Sequence, residues 1–155
     1  MRAPSAVVAT ALAGIATAQP LPDPQIDYWV VPWENSRPRD PDLDRNCIVW
    51  FVGQTGDYIA SFDPKTEQFK KTDLDKGSGP HNLIVGEDHS IWYAGNRASH
   101  IGRLDPESGA IEKIAMPSDV RDPHTLVDDG QGHIWFTAQG SNYIGRLTLA
   151  GRKVD

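Results

Sequence analysis

The chain has 155 residues, a net charge of −6, 39% hydrophobic and 23% charged residues, which suits one folded domain better than disorder. Gly (14) and Pro (12) are too abundant for a helical bundle, and a pI near 5.2 leaves no basic footprint for nucleic acid. No apolar run reaches the ~18 residues of a membrane span, and the single Cys47 excludes an internal disulfide framework and a Cys-rich zinc site.

Residues 1–18 read as a secretory signal peptide. Arg2 supplies a positive charge, Ala6 to Ala16 is an apolar run, and Ala16-Thr17-Ala18 is a small-residue cleavage site followed by Gln19-Pro20. The expected location is therefore outside the cytoplasm, periplasmic or extracellular. Residues 19–36 form an N-terminal segment in which Ile26 to Val31 reads as a lone outer strand.

From there the chain repeats. Trp50, Trp92 and Trp135 are spaced 42 and 43 residues apart, and so are Ile59, Ile101 and Ile144, then Phe62, Leu104 and Leu147, and Pro38, Pro80 and Pro123. Ile101-Gly102-Arg103-Leu104 recurs as Ile144-Gly145-Arg146-Leu147, and Pro80-His81 as Pro123-His124. Within the middle repeat, Asn82 to Val85, Ile91 to Tyr93, Ile101 to Leu104 and Ala110 to Met116 read as short strands between turns such as Gly86-Glu87-Asp88 and Asp105-Pro106-Glu107-Ser108-Gly109. Four strands in about 40–45 residues mark a β-propeller blade. The expected fold is all-β, a partial propeller over residues 37–155 with blades at about 37–75, 79–117 and 122–155. The last blade stops where its fourth strand begins. The chain therefore reads as a piece of a longer ring, with assembly of short chains into a ring as the alternative. The repeated tryptophans are expected to pack between blades, and Arg103 and Arg146 to bridge blades or hydrogen-bond backbone. His89, His100 and His133 are placed in turns or at strand starts.

Gly79-Pro80-His81-Asn82-Leu83-Ile84-Val85 with Ile91-Trp92-Tyr93 and His100-Ile101-Gly102-Arg103-Leu104-Asp105 resembles a blade of the virginiamycin B lyase (streptogramin lyase) family. Asp122-Pro123-His124-Thr125-Leu126, Ile134-Trp135-Phe136-Thr137 and Asn142-Tyr143-Ile144-Gly145-Arg146-Leu147 are similar again, whereas Arg37-Pro38-Arg39-Asp40 departs from the Pro-His pattern. The resemblance implies a seven-bladed ring and a magnesium-assisted elimination that opens the ester of cyclic streptogramin B antibiotics. Such chemistry removes an α-proton, for which His is the commonest base, and a divalent cation can polarise the carbonyl. By the family motif His81, His124 and Asp122 are the candidate catalytic residues, Asp122 also the candidate metal ligand, and Asp stands at 122 where the family has Glu. The implied partner is a small-molecule or cyclic peptide substrate. Two other readings stay open. One is a gluconolactonase-type hydrolase with calcium held by Asp40, Asn82 and Asp122. The other is a non-catalytic binding propeller, since fold does not dictate function.

Overall fold

The repeated apolar and β-branched runs are too short for helices and are punctuated by turn residues, so they pair locally as antiparallel hairpins. A computed structural model describes residues 23–155, and the signal-peptide reading of residues 1–18 lies outside them. The first sheet contains β1 (Pro38–Leu43), β2 (Val49–Gly53), β3 (Tyr58–Asp63) and β4 (Gln68–Asp73). The second contains β5 (Pro80–Val85), β6 (Ile91–Gly95), β7 (His100–Leu104) and β8 (Ile111–Ala115). The third contains β9 (Pro123–Asp128), β10 (His133–Ala138), β11 (Tyr143–Thr148) and β12 (Lys153–Val154). Each sheet runs in sequence order, all neighbours antiparallel, and no helix occurs among the described residues. The fourth strand of the last blade begins as expected, two residues long, pairing Leu147 with Val154 and Thr148 with Lys153.

The first strands β1, β5 and β9 lie side by side, and so form the inner edge of the arc. The prolines hold one register: Pro38 pairs with Gly53, Pro80 with Gly95 and Pro123 with Ala138, each followed by a bulge. Left-handed backbone recurs with the same period. Arg37, Gly79 and Asp122, the residues immediately before these prolines, have φ of 52°, 51° and 63°. The sheets are therefore copies of one another in backbone as well as in sequence. They do not close into a ring.

Alternation along each strand sends side chains to two faces. Val52 and Ile59 of the first blade meet Leu83, Ile91, Tyr93 and Leu104 of the second, with Trp50 packed against them. Trp92, Ala94 and Ile101 of the second blade meet Leu126, Ile134, Phe136 and Leu147 of the third. The recurrent tryptophan does face the next blade. The glycine of the Ile-Gly-Arg-Leu motif also has a reason. Gly102 lies across from Tyr93 and Gly145 across from Phe136, and a Cβ at either glycine would come within 2.1 and 2.2 Å of those rings.

Two expectations are corrected. Ile26 to Val31 is not a strand; instead the segment lays Trp29 on Phe62 (centroids 5.1 Å apart), and Trp33 just beyond it packs on Tyr58 (5.0 Å). Its composition favours an extended chain, but it hydrogen-bonds to no sheet edge. Arg103 and Arg146 do not bridge blades: each reaches a carboxylate of its own blade, Asp88 at 3.0 Å and Asp155 at 3.2 Å. The inter-blade arginines are Arg45, which donates to the Glu87 carbonyl, and Arg152, which forks onto both oxygens of Glu112 at 2.9 and 3.1 Å.

Candidate active site

The residue after each recurrent proline sits on the inner strand where the bulge turns it toward the neighbouring blade. In blade order these are Arg39, His81 and His124. The structure brings the two histidines together, their ring centroids 3.3 Å apart and the planes inclined by 39°. His81 is 5% exposed, while His124 is half-buried.

Around the pair lie Asp40, Arg39 and Asp122. One oxygen of Asp40, Oδ2, is 3.2 Å from His81 Nδ1 and 3.9 Å from Arg39 Nε. The His81 contact is close but not aligned for a hydrogen bond, so Nδ1 has no hydrogen-bond partner among the described residues. Burial pushes the His81 pKa down, His124 and then Arg39 push it the same way, and Asp40 and Asp122 oppose them; it falls from 6.5 to about 4. His81 is therefore neutral at pH 7. His124 Nδ1 lies 3.1 Å from Thr125 Oγ1.

Asp122 does not point a free carboxylate at the pair. Asn96 of the preceding blade donates through Nδ2 to Asp122 Oδ1 and, at 3.2 Å, to the Pro123 carbonyl. This clamp fixes the segment that carries His124. Asn82 is drawn elsewhere: its Oδ1 accepts the Leu126 N–H at 2.8 Å, tying the second blade to the third as Asp42 ties the first to the second through the Val85 N–H, also at 2.8 Å. The three groups named for a calcium site thus have separate partners. Among the described residues no cluster of three or more His, Cys, Asp or Glu side chains is arranged to hold a metal ion.

His89 lies in a turn with φ of 65°, and His100 and His133 open β7 and β10. His133 is 3.1 Å from Asp129, and the buried His100 lies 3.3 Å from the Tyr93 hydroxyl. The sequence reading passed over an amide that recurs after each second strand: Gln54, Asn96 and Gln139. The Gln54 side chain accepts from Arg39 (3.2 Å) and that of Asn96 clamps Asp122, whereas Gln139 donates only its backbone N–H, to the Asp122 carbonyl (3.2 Å). The periodic offset was the signal, masked by the change between Gln and Asn.

Fold and site define an open arc of propeller blades with paired histidines on its inner rim. The chain belongs to the virginiamycin B lyase family, whose sequence profile matches residues 10–155. Among solved structures it is similar to a streptogramin B lyase (27% identity, TM-score 0.73), over 81% of this chain and 41% of that one. It is also similar to virginiamycin B lyase from Staphylococcus aureus (26%, TM-score 0.75), over 82% of this chain and 43% of that one. A catalytically inactive form of the S. aureus enzyme, solved with quinupristin, matches equally well (26%, TM-score 0.75, 82% and 43%). The chain thus spans less than half the length of these lyases. No curated protein sequence matches it significantly.

Proposed function

We propose that these blades form part of an exported lyase that opens a cyclic ester of the streptogramin B type by elimination. The observation that carries this reading is the ring-to-ring pair His81–His124, built from two Pro-His motifs one blade apart. Family membership and the two solved lyases support the class of reaction.

His124 is the more exposed imidazole and serves as the base. Its Nδ1 is turned to Thr125, which leaves Nε2 to take a proton from the carbon next to the ester's C–O carbon. The electron pair of that C–H bond forms a C=C bond, the C–O bond breaks, and its electrons leave on the carboxylate. No water is consumed. His81, neutral and buried, backs His124 without adding a competing positive charge. Asp122 positions His124 through the Asn96 clamp. No step is assigned to the magnesium that the family resemblance implies.

The reading is tested by turnover of quinupristin by the protein and its variants. His124→Ala is expected to lower the rate by at least ~100-fold, the scale of general base catalysis. His81→Ala should also lower it strongly, and His89→Asn, in a distant left-handed turn, should leave it unchanged. Equal rates in all three variants would place the chemistry elsewhere. Chelation of divalent cations in parallel shows whether turnover draws on a metal.

A further inference from the structure

The turn between the first and second strands is built alike in all three blades. The Asp44 N–H donates to the Ile48 carbonyl at 3.0 Å, the Gly86 N–H to the Ser90 carbonyl at 2.8 Å and the Asp129 N–H to the His133 carbonyl at 3.2 Å. In the first and third blades the residue that opens this turn also holds the recurrent tryptophan. Trp50 Nε1 donates to Asp44 Oδ2 at 3.2 Å, and Trp135 Nε1 to Asp129 Oδ2 at 3.1 Å. The second blade has Gly86 at that offset. Gly86 is not in the left-handed region, so its backbone does not demand a glycine.

Trp92 has therefore lost the carboxylate that its counterparts keep. It is 3% exposed, and its Nε1 donates to no described residue. A buried indole N–H without an acceptor is costly, and such groups call for an explanation. Asp88, two residues beyond Gly86, does not fill the gap. Its Oδ1 accepts the Ser90 N–H at 3.1 Å, and its Oδ2 accepts the Ser90 hydroxyl at 2.7 Å and Arg103 at 3.0 Å.

What Gly86 leaves is room. A Cβ there would stand 3.3 Å from Trp92 Nε1. Gly86 and Trp92 line a cleft of about 270 Å³ between the second and third blades, together with Arg103, Arg152, Glu87 and Asp128. The Arg103 and Arg152 guanidinium groups lie 6.0 and 5.2 Å from the Trp92 ring centroid. Arg103 bonds Asp88 through Nη2, and a guanidinium has five N–H donors in all. Glu87 and Asp128 pair with no cation among the described residues. The cleft adjoins the opposite end of β5 from His81.

We infer that this cleft binds a small α-amino acid, whose carboxylate takes the place that Asp44 and Asp129 fill in the neighbouring blades and whose ammonium faces Glu87 and Asp128. The carboxylate follows from the first and third blades, where that group already satisfies the same indole in the same turn. Arg103 adds a charge-assisted donor to it. The ammonium follows from the two acidic side chains, which would repel a bare carboxylate. This inference does not rest on the catalytic reading.

The test is a heteronuclear magnetic resonance titration of the full chain with glycine, following the tryptophan indole N–H signals. That of Trp92 is assigned by its absence from Trp92→Phe. Glycine is expected to move the Trp92 signal saturably in the millimolar range, the affinity open to a ligand of so few atoms, and to leave the Trp50 and Trp135 signals in place. Acetate and methylammonium, each carrying half of the recognised charge, bind at least ~10-fold more weakly, as does glycine to Gly86→Asp, where the chain supplies its own carboxylate. Arg103→Gln, which fills no space, weakens glycine binding as well. A Trp92 signal indifferent to glycine, acetate binding as tightly as glycine, or undiminished glycine binding in both variants would each overturn the inference.

Discussion

His81 and His124 come from consecutive blades, and their imidazoles meet with centroids 3.3 Å apart. Burial disfavours a charge on His81, and so does the neighbouring His124 ring. Together they hold the His81 pKa well below the usual histidine range, at about 4. Nuclear magnetic resonance titration of the imidazole should find that depressed value. His124→Ala should raise it by removing one of the depressing neighbours. Asp40→Asn should lower it further by removing a carboxylate that opposes the shift.

The same shift sets a pH dependence of stability. The folded chain holds His81 below the 6.5 of the unfolded chain, so the unfolded state binds the proton first as pH falls. The stabilising contribution is complete above about 6.5 and is lost progressively down to about 4, below which both states are protonated. Thermal melts between these limits should show a fall in midpoint that His81→Gln reduces. A midpoint whose pH dependence is the same in both proteins would contradict the assignment.

Gly145 is required by the ring across the hairpin. An added methyl comes within 2.2 Å of Phe136, a buried side chain with little room to move. Gly145→Ala is expected to cost about 1–3 kcal/mol by overpacking. Gly109→Ala meets nothing within 4 Å but sits at φ of 74°, so any loss there comes from backbone strain alone. Denaturant unfolding of Gly145→Ala paired with Phe136→Leu separates the two causes, because the smaller partner should recover much of the first loss.

Asn82 ties adjacent blades through the Leu126 N–H. Asn82→Ala leaves that donor without its partner and should cost about 1–3 kcal/mol. By contrast, the Arg152–Glu112 pair lies partly open to solvent, with side chains 35% and 42% exposed, and a double-mutant cycle should give a coupling of about 1 kcal/mol or less. If Arg152 proved the costlier loss, its packing over the Trp92 ring, 5.2 Å away, would be the larger part of its role.

The propeller was legible because one period marked several positions at once. Trp50, Trp92 and Trp135 kept the register that the strands adopt, and the prolines marked where each inner strand begins. Ile26 to Val31 misled because strand composition reports what a segment tolerates, whereas pairing depends on a distant edge. Arg103 and Arg146 misled for a related reason: the carboxylates that bind them, Asp88 and Asp155, are local but fall in a turn and at the chain's last residue. At the site, the histidine pair followed from a shared offset. Its surroundings did not, because Arg39 and Asp40 on β1 and Asn96 after β6 differ in residue type from their counterparts at the same offsets in the other blades.

The central claim is elimination at the His81–His124 rim, and the mass of the product tests it most directly. Quinupristin incubated with the protein should give a ring-opened product of unchanged mass that carries a new C=C bond and a free carboxylate. The His124→Ala protein should give none. A product heavier by one water would make the protein a hydrolase, and tight binding with no product would make it a binding propeller. Either result would contradict the account.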